Sequence, residues 1–168
     1  VALKEGMTIN FRKYAHQVVE NARTLAEIFQ RNGLRLLTGG TDNHMLIIDL
    51  TSLGVPGRIA EDMLTSVGIA VNRNSIPSDA SGQWNTSGIR LGTPALTTLG
   101  MGSAEMEEVA NIIAKVLRNI TVRRNAEGGS SKSEGVLSEE IAQEARQRVA
   151  DLLGRFPLYP EIDLETLV

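Results

Sequence analysis

The sequence predicts an α/β chain, or α+β layer, built most simply as a small sheet covered on one face by helices. Three observations predict it. Three long segments repeat apolar residues at helical spacing, several apolar runs are too short to be helices, and glycine, proline or asparagine punctuates the connections between them.

Phe11, Tyr14, Ala15, Val18, Ala22, Leu25, Ala26 and Phe29 mark one face of a long first helix, which Asn32-Gly33 should stop. Leu34 to Leu37 reads as a short strand broken by Gly39-Gly40. Met45-Leu46-Ile47-Ile48 reads as a central strand, apolar on both faces. Pro56 suits the first turn of a short helix with Ile59, Met63 and Val67 on its buried side, closed by Gly68 before a strand at Ile69-Ala70-Val71. A loop from Asn72 to Ser87 leads to a strand around Arg90. Ser103 should cap the next helix, with Glu105, Glu107 and Glu108 in its first turns and Val109, Ile112, Ile113 and Val116 as its apolar stripe. Asn125 to Gly135 has almost nothing to bury and is expected to be a solvated, mobile linker. Ser138 then caps a last helix with Ile141, Ala145, Val149 and Leu152 inward, ended by Gly154 and Pro157.

Composition narrows the function classes. The 168 residues are 42% hydrophobic and 22% charged, ordinary for a chain with one packed core. A formal charge of −3, with Arg123-Arg124 as an isolated basic pair, gives nucleic-acid binding no electrostatic support. The absence of cysteine rules out disulfides and thiolate chemistry and fits the cytoplasm. No apolar run approaches the roughly 20 residues of a membrane span. The opening Val1-Ala2-Leu3-Lys4-Glu5 lacks a signal-peptide pattern and reads like the middle of a longer chain. The two histidines, His16 and His44, stand far apart and suggest no metal site.

The most informative stretch is Asn74-Ser75-Ile76-Pro77 followed by Thr86-Ser87-Gly88-Ile89-Arg90-Leu91-Gly92-Thr93-Pro94. It sets an arginine in an apolar run between turn-forming residues. A permanently charged guanidinium there should meet a carboxylate or phosphate, because desolvating it alone costs several kcal/mol. The residues leave two readings open: an internal ion pair to Asp42, Asp49 or Asp79, or a site for an anionic ligand held bidentately. Asn74 is either a turn-forming asparagine or an amide whose donor and acceptor edges suit a planar heterocycle. Thr86, Ser87 and Gly88 read as support for Arg90. His44, two residues after Asp42 at a strand entrance, reads as a hydrogen-bonded structural residue.

With Gly39-Gly40-Thr41-Asp42-Asn43-His44 upstream and Phe156-Pro157-Leu158-Tyr159 near the end, these motifs resemble the C-terminal part of the serine hydroxymethyltransferase family over nearly the whole chain. The resemblance implies the small domain of a fold-type I pyridoxal-phosphate enzyme. Its sheet would be mainly antiparallel, as in aminotransferase-like enzymes. Residues 1–32 would form a connecting long helix, 33–118 the sheet and helices, 119–137 a flexible linker, and 138–168 a C-terminal helix and tail. The whole of 1–168 would pack against an absent N-terminal large domain.

In the family, the arginine matching Arg90 holds the carboxylate of serine or glycine. The asparagine matching Asn74 touches the pterin ring of tetrahydrofolate, with Ser75 beside it. The whole enzyme interconverts serine and glycine, with tetrahydrofolate as co-substrate and pyridoxal 5'-phosphate bound by the large domain, and is a homodimer or larger. Two departures stand out: Gly82-Gln83-Trp84-Asn85 differs from the family's usual residues, and the 125–135 stretch is long. Lys4, Lys13, Lys115 and Lys132 lie outside the family's Schiff-base motif, so the chain alone is expected to hold no catalytic residue and to be inactive. Two other functions are consistent with the residues. One is a non-catalytic α/β module that binds an amino acid or a partner protein through Arg90. The other is a related pyridoxal-phosphate enzyme using an acyl donor.

Overall fold

The computed structural model describes residues 1–77, 79, 86–124 and 129–159. In chain order the elements are α1 (Ala2–Gly6), α2 (Ile9–Arg31), β1 (Arg35–Leu36), β2 (Met45–Asp49), a 3-10 turn (Thr51–Leu53), α3 (Gly57–Ser66), β3 (Asn72–Asn74), β4 (Gly88–Gly92), α4 (Pro94–Thr98), α5 (Ser103–Asn119), β5 (Thr121–Arg124), β6 (Ser130–Val136) and α6 (Glu139–Arg155). The expected mixed architecture is present. A four-stranded sheet in the order β1-β2-β4-β3 is antiparallel throughout, and β5 and β6 form a separate pair.

Helix α2 forms where the apolar spacing predicts, burying Val18, Ala22, Leu25, Ala26 and Phe29. It does not run from the first residue. Thr8 interrupts the helical segment and caps α2, its hydroxyl accepting from the Phe11 amide at 3.2 Å. Helix α2 packs on β1 and β2, α3 packs on β3 and β4, and α5 lies against α2 and α3 with α6 outside it. Leu25, Phe29, Ile48, Ile59, Leu64, Ile89, Ile112 and Ile113 meet in the core between these layers. At about 1.5–3 kcal/mol for each fully buried large side chain, this contact region is the main stabilising feature of the fold.

One polar group is buried with α2. Asn21 is fully buried, and its amide donates to Thr97 Oγ1 and to the Met101 carbonyl, both at 2.9 Å, while its oxygen accepts from Gln17. Every capacity of that side chain is met except a second acceptor site, so α4 is fixed to α2 without an unsatisfied group.

Five expectations about local structure are corrected. Met45-Leu46-Ile47-Ile48 is the central strand, but only Leu46 and Ile48 are buried while Met45 is exposed and Ile47 half-buried, because helices cover one face of the sheet alone. The strand expected at Ile69-Ala70-Val71 lies three residues later, at the polar Asn72–Asn74. Ladder pairing to β4 uses backbone groups and does not need apolar side chains there. Pro56 is the cap residue of α3 and not part of its first turn. Ser103 is the first residue of α5; the cap is made instead by the Glu105 carboxylate, which accepts from the Gly102 amide at 2.9 Å. Ser138 caps α6 as expected.

The fifth correction concerns the linker expected over 119–137, which contains the paired strands β5 and β6. Composition hides them because what anchors the hairpin is small. Gly135 lets β6 press on α3: a Cβ there would stand 2.4 Å from Ile59 Cγ2. Ile120, Val122 and Leu137 pack partly against the core on either side.

Candidate functional site

The uncovered face of the sheet carries Arg90. In the ladder Ile47 and Asn72 stand directly opposite it, on β2 and β3, so the three side chains share one face. Ile89 is fully buried on the helix side, and Leu91 packs partly against the core. The apolar run around Arg90 is therefore not an apolar environment for it. Two-residue alternation turns its exposed guanidinium outward, and the desolvation cost expected from its neighbours does not arise in this chain.

Of the two readings of Arg90, the internal ion pair has no geometry to support it. Among the described residues no carboxylate lies within ion-pair distance of its guanidinium. The three aspartates considered are placed elsewhere. Asp49 pairs with Arg35 at 3.4 Å and accepts from the Thr51 amide and hydroxyl. Asp79 accepts from the Ser87 amide and hydroxyl, and Asp42 is exposed with no ion pair among the described residues. A cleft of about 310 Å³ opens beside Arg90, lined also by His44, Met45, Asn72, Leu91 and Gly92. Larger depressions lie beneath the Gly39–Asn43 loop and beside Tyr14, but neither has an arginine in its lining.

The remaining expected residues are held around this strand. Ser87 donates its hydroxyl to Asp79 at 2.8 Å, which ties the segment after Pro77 to the start of β4. Thr86 is buried, and its carbonyl accepts from the Gly57 amide at the start of α3. Gly88 allows a close approach: a Cβ would meet the Asn74 carbonyl at 2.9 Å and the Ile48 carbonyl at 3.1 Å. Asn74 stands two residues from Asn72 on the same strand and donates its amide to the Ser75 carbonyl at 2.7 Å. Ser75 is exposed. Asn74 thus uses a donor in a local contact, as a turn asparagine does, and leaves its side-chain oxygen without a partner among the described residues. Gly82-Gln83-Trp84-Asn85 lies outside the described residues.

Two lining residues are not apparent from the sequence alone. Asn72 enters the site through the register of β3. His44 lines the cleft, and its contribution to the fold is its backbone carbonyl, which accepts from the Thr93 amide at 3.0 Å; the ring makes no hydrogen bond among the described residues. The side-chain hydrogen bond expected for it is not found among the described residues. His44 and Asp42 form no hydrogen-bonded pair.

Comparison with known proteins identifies the family. A family model described as serine hydroxymethyltransferase matches residues 1–113. The chain belongs to the serine hydroxymethyltransferase family. A serine hydroxymethyltransferase from Chlamydia muridarum (strain MoPn / Nigg) is 98% identical over all 168 residues, which are 34% of that relative's length. Those of Chlamydia trachomatis serovar D and Chlamydia caviae are 94% and 82% identical over the same span. The chain therefore spans about a third of the length of these relatives.

Serine hydroxymethyltransferases use pyridoxal phosphate and tetrahydrofolate. The cleft beside Arg90 does not fit the first of these, because it contains no lysine for a Schiff base and no acid for a pyridine nitrogen. Lys115 is paired with Glu144 between α5 and α6, and Lys4, Lys13 and Lys132 lie on α1, α2 and β6. Among the described residues no group of three or more metal-ligating side chains converges, and no helix is long and apolar enough to cross a membrane.

Proposed function

We propose that this chain is the C-terminal domain of a serine hydroxymethyltransferase and contributes the arginine that binds the carboxylate of serine or glycine. The carrying observation is Arg90 itself: it is fixed by pairing on both sides in the sheet, turned to the uncovered face, and free of any carboxylate among the described residues. A guanidinium in that state offers two parallel N–H donors to an incoming carboxylate, and the rigid ladder sets the direction of the fork. Its contribution is binding and orientation, and the proton transfers and the cofactor belong to the remainder of the enzyme.

On this reading the complete protein interconverts serine and glycine with tetrahydrofolate. Asn74, with Ser75 beside it, forms part of the folate site through the side-chain oxygen left open. Thr86, Ser87 and Gly88 hold β4 in place. The chain's first partner is its own large domain, which carries pyridoxal phosphate, and the assembly is a cytoplasmic homodimer or larger. The chain alone turns over no serine.

The test uses the full-length enzyme. Arg90→Ala should lower serine kcat/KM by at least about a hundredfold while the absorbance of bound pyridoxal phosphate is retained. Arg90→Lys should also be poor, because a point charge does not reproduce a two-pronged contact. Near-normal serine kinetics in Arg90→Ala would refute the reading.

A further inference from the structure

We propose that Asn72 is a positioning residue for Arg90: its uncharged amide occupies one of the two cross-strand places, Ile47 holding the other, from which a carboxylate of this sheet would capture the guanidinium and close the site to substrate. The inference rests on the carboxylate-binding reading of Arg90. It starts from what the same sheet does with its other arginines. Arg35 stands directly opposite Asp49 in the β1–β2 ladder, and the two form an ion pair at 3.4 Å. Arg73, on the helix-covered side beside Ile89, pairs with Glu61 of α3 at 3.3 Å. Arg90 stands opposite Asn72 in the β3–β4 ladder, in the same directly opposed relationship as Arg35 and Asp49, and makes no ion pair among the described residues.

The difference lies in the opposing residue. Directly opposed side chains in an antiparallel pair are close enough to interact, so an acid at position 72 would reach the guanidinium as Asp49 reaches Arg35. The opposite neighbour on β2, Ile47, is apolar and cannot compete either. Asn72 lines the cleft with Arg90, so its side chain faces the space the ligand would fill. An amide there has an acceptor for an outer guanidinium N–H and donors for a ligand oxygen, with no charge to repel a carboxylate. A carboxylate there would occupy the fork and stand beside the incoming anion, and both effects weaken binding of the substrate.

The experiment measures serine KM and kcat in the full-length enzyme for Asn72→Asp, Asn72→Ala and Arg90→Ala, with pyridoxal-phosphate absorbance as a check on assembly. Asn72→Glu supplies a second carboxylate if the aspartate variant does not accumulate. The expected result is a serine KM raised at least about tenfold by the acidic variants, a smaller change in kcat, and a rise in KM for Asn72→Ala that stays well below that of the acidic variants. Such a split between isosteric acid and neutral truncation is not what a merely structural role would produce. An acidic variant with an unchanged KM, or an alanine variant as impaired as the acidic one, overturns the proposal. If Arg90→Ala loses serine turnover while the acidic variants behave as the parent does, only the role of Asn72 fails; if Arg90→Ala is itself normal, the carboxylate reading beneath it fails.

Discussion

Asp79 grips Ser87 twice: its carboxylate accepts from the Ser87 amide at 2.7 Å and from the Ser87 hydroxyl at 2.8 Å. The same carboxylate accepts from the Ile76 amide at 3.4 Å, so one side chain holds both ends of the segment between β3 and β4. Arg90 begins three residues beyond that anchor, and the anchor fixes where β4 starts.

Asp79→Ala removes a charged acceptor from these donors, and hydrogen bonds of this kind are worth about 1.5–3 kcal/mol. The variant chain should unfold at lower urea concentration with an unchanged dependence on denaturant. In the full-length enzyme its serine KM should rise although Asp79 does not line the Arg90 cleft. A variant with the parent's urea midpoint and KM would show that the segment is held by other means.

Arg148 on α6 reaches Glu108 on α5 with two parallel donors, at 2.7 and 2.9 Å. That hydrogen bonding holds the Glu108 carboxyl below its ordinary value of 4.5, and it raises the Arg148 guanidinium. A lowered carboxyl stabilises the fold fully above its unfolded pKa and loses that contribution as pH falls through the folded value. Stability should therefore decline on acidification below about pH 4.5, and Arg148→Met should flatten that decline. The side chains of Arg148 and Glu108 are 28% and 35% exposed, so solvent screening keeps the loss at neutral pH to about 1 kcal/mol. Urea unfolding of both chains at neutral pH and near pH 3.5 checks the sign.

Gly135 is the position at which β6 meets α3. Gly135→Ala sets a methyl group 2.4 Å from Ile59 Cγ2, and Ile59 is buried in the core, so one of the two must shift. Overpacking of this kind costs about 1–3 kcal/mol. The variant should lose that much stability in chemical denaturation, whereas a loose linker would tolerate alanine without change.

Asn74 supplies the test of the proposed folate contact. Asn74→Ala in the full-length enzyme should raise the KM for tetrahydrofolate by about tenfold and leave serine binding in the absence of folate close to normal. Loss of serine binding alone would place Asn74 with Arg90 instead.

The helices are legible in the sequence because their apolar residues recur every three to four positions, and α2, α3, α5 and α6 lie where that spacing places them. The strands are harder to read, for reasons the structure makes visible. Asn72–Asn74 is polar because its ladder needs only backbone groups, so the apolar Ile69-Ala70-Val71 draws the eye instead. The paired strands Thr121–Arg124 and Ser130–Val136 rest on their ladder and on the contact of Gly135 with Ile59, neither of which composition records. At the site, the chemistry of Arg90 is legible from its residue type. Its outward direction depends on alternation within β4, and its lack of a carboxylate partner among the described residues depends on register. Asn72 becomes visible as its neighbour only once β3 is paired.

The central claim is that Arg90 recognises a carboxylate, and the most direct measurement compares serine with serinamide, which lacks that charge, in equilibrium titrations of the full-length enzyme. The parent should bind serine far more tightly than serinamide, and Arg90→Ala should bind both with nearly the same weak affinity. Undiminished preference for serine in Arg90→Ala would contradict the account.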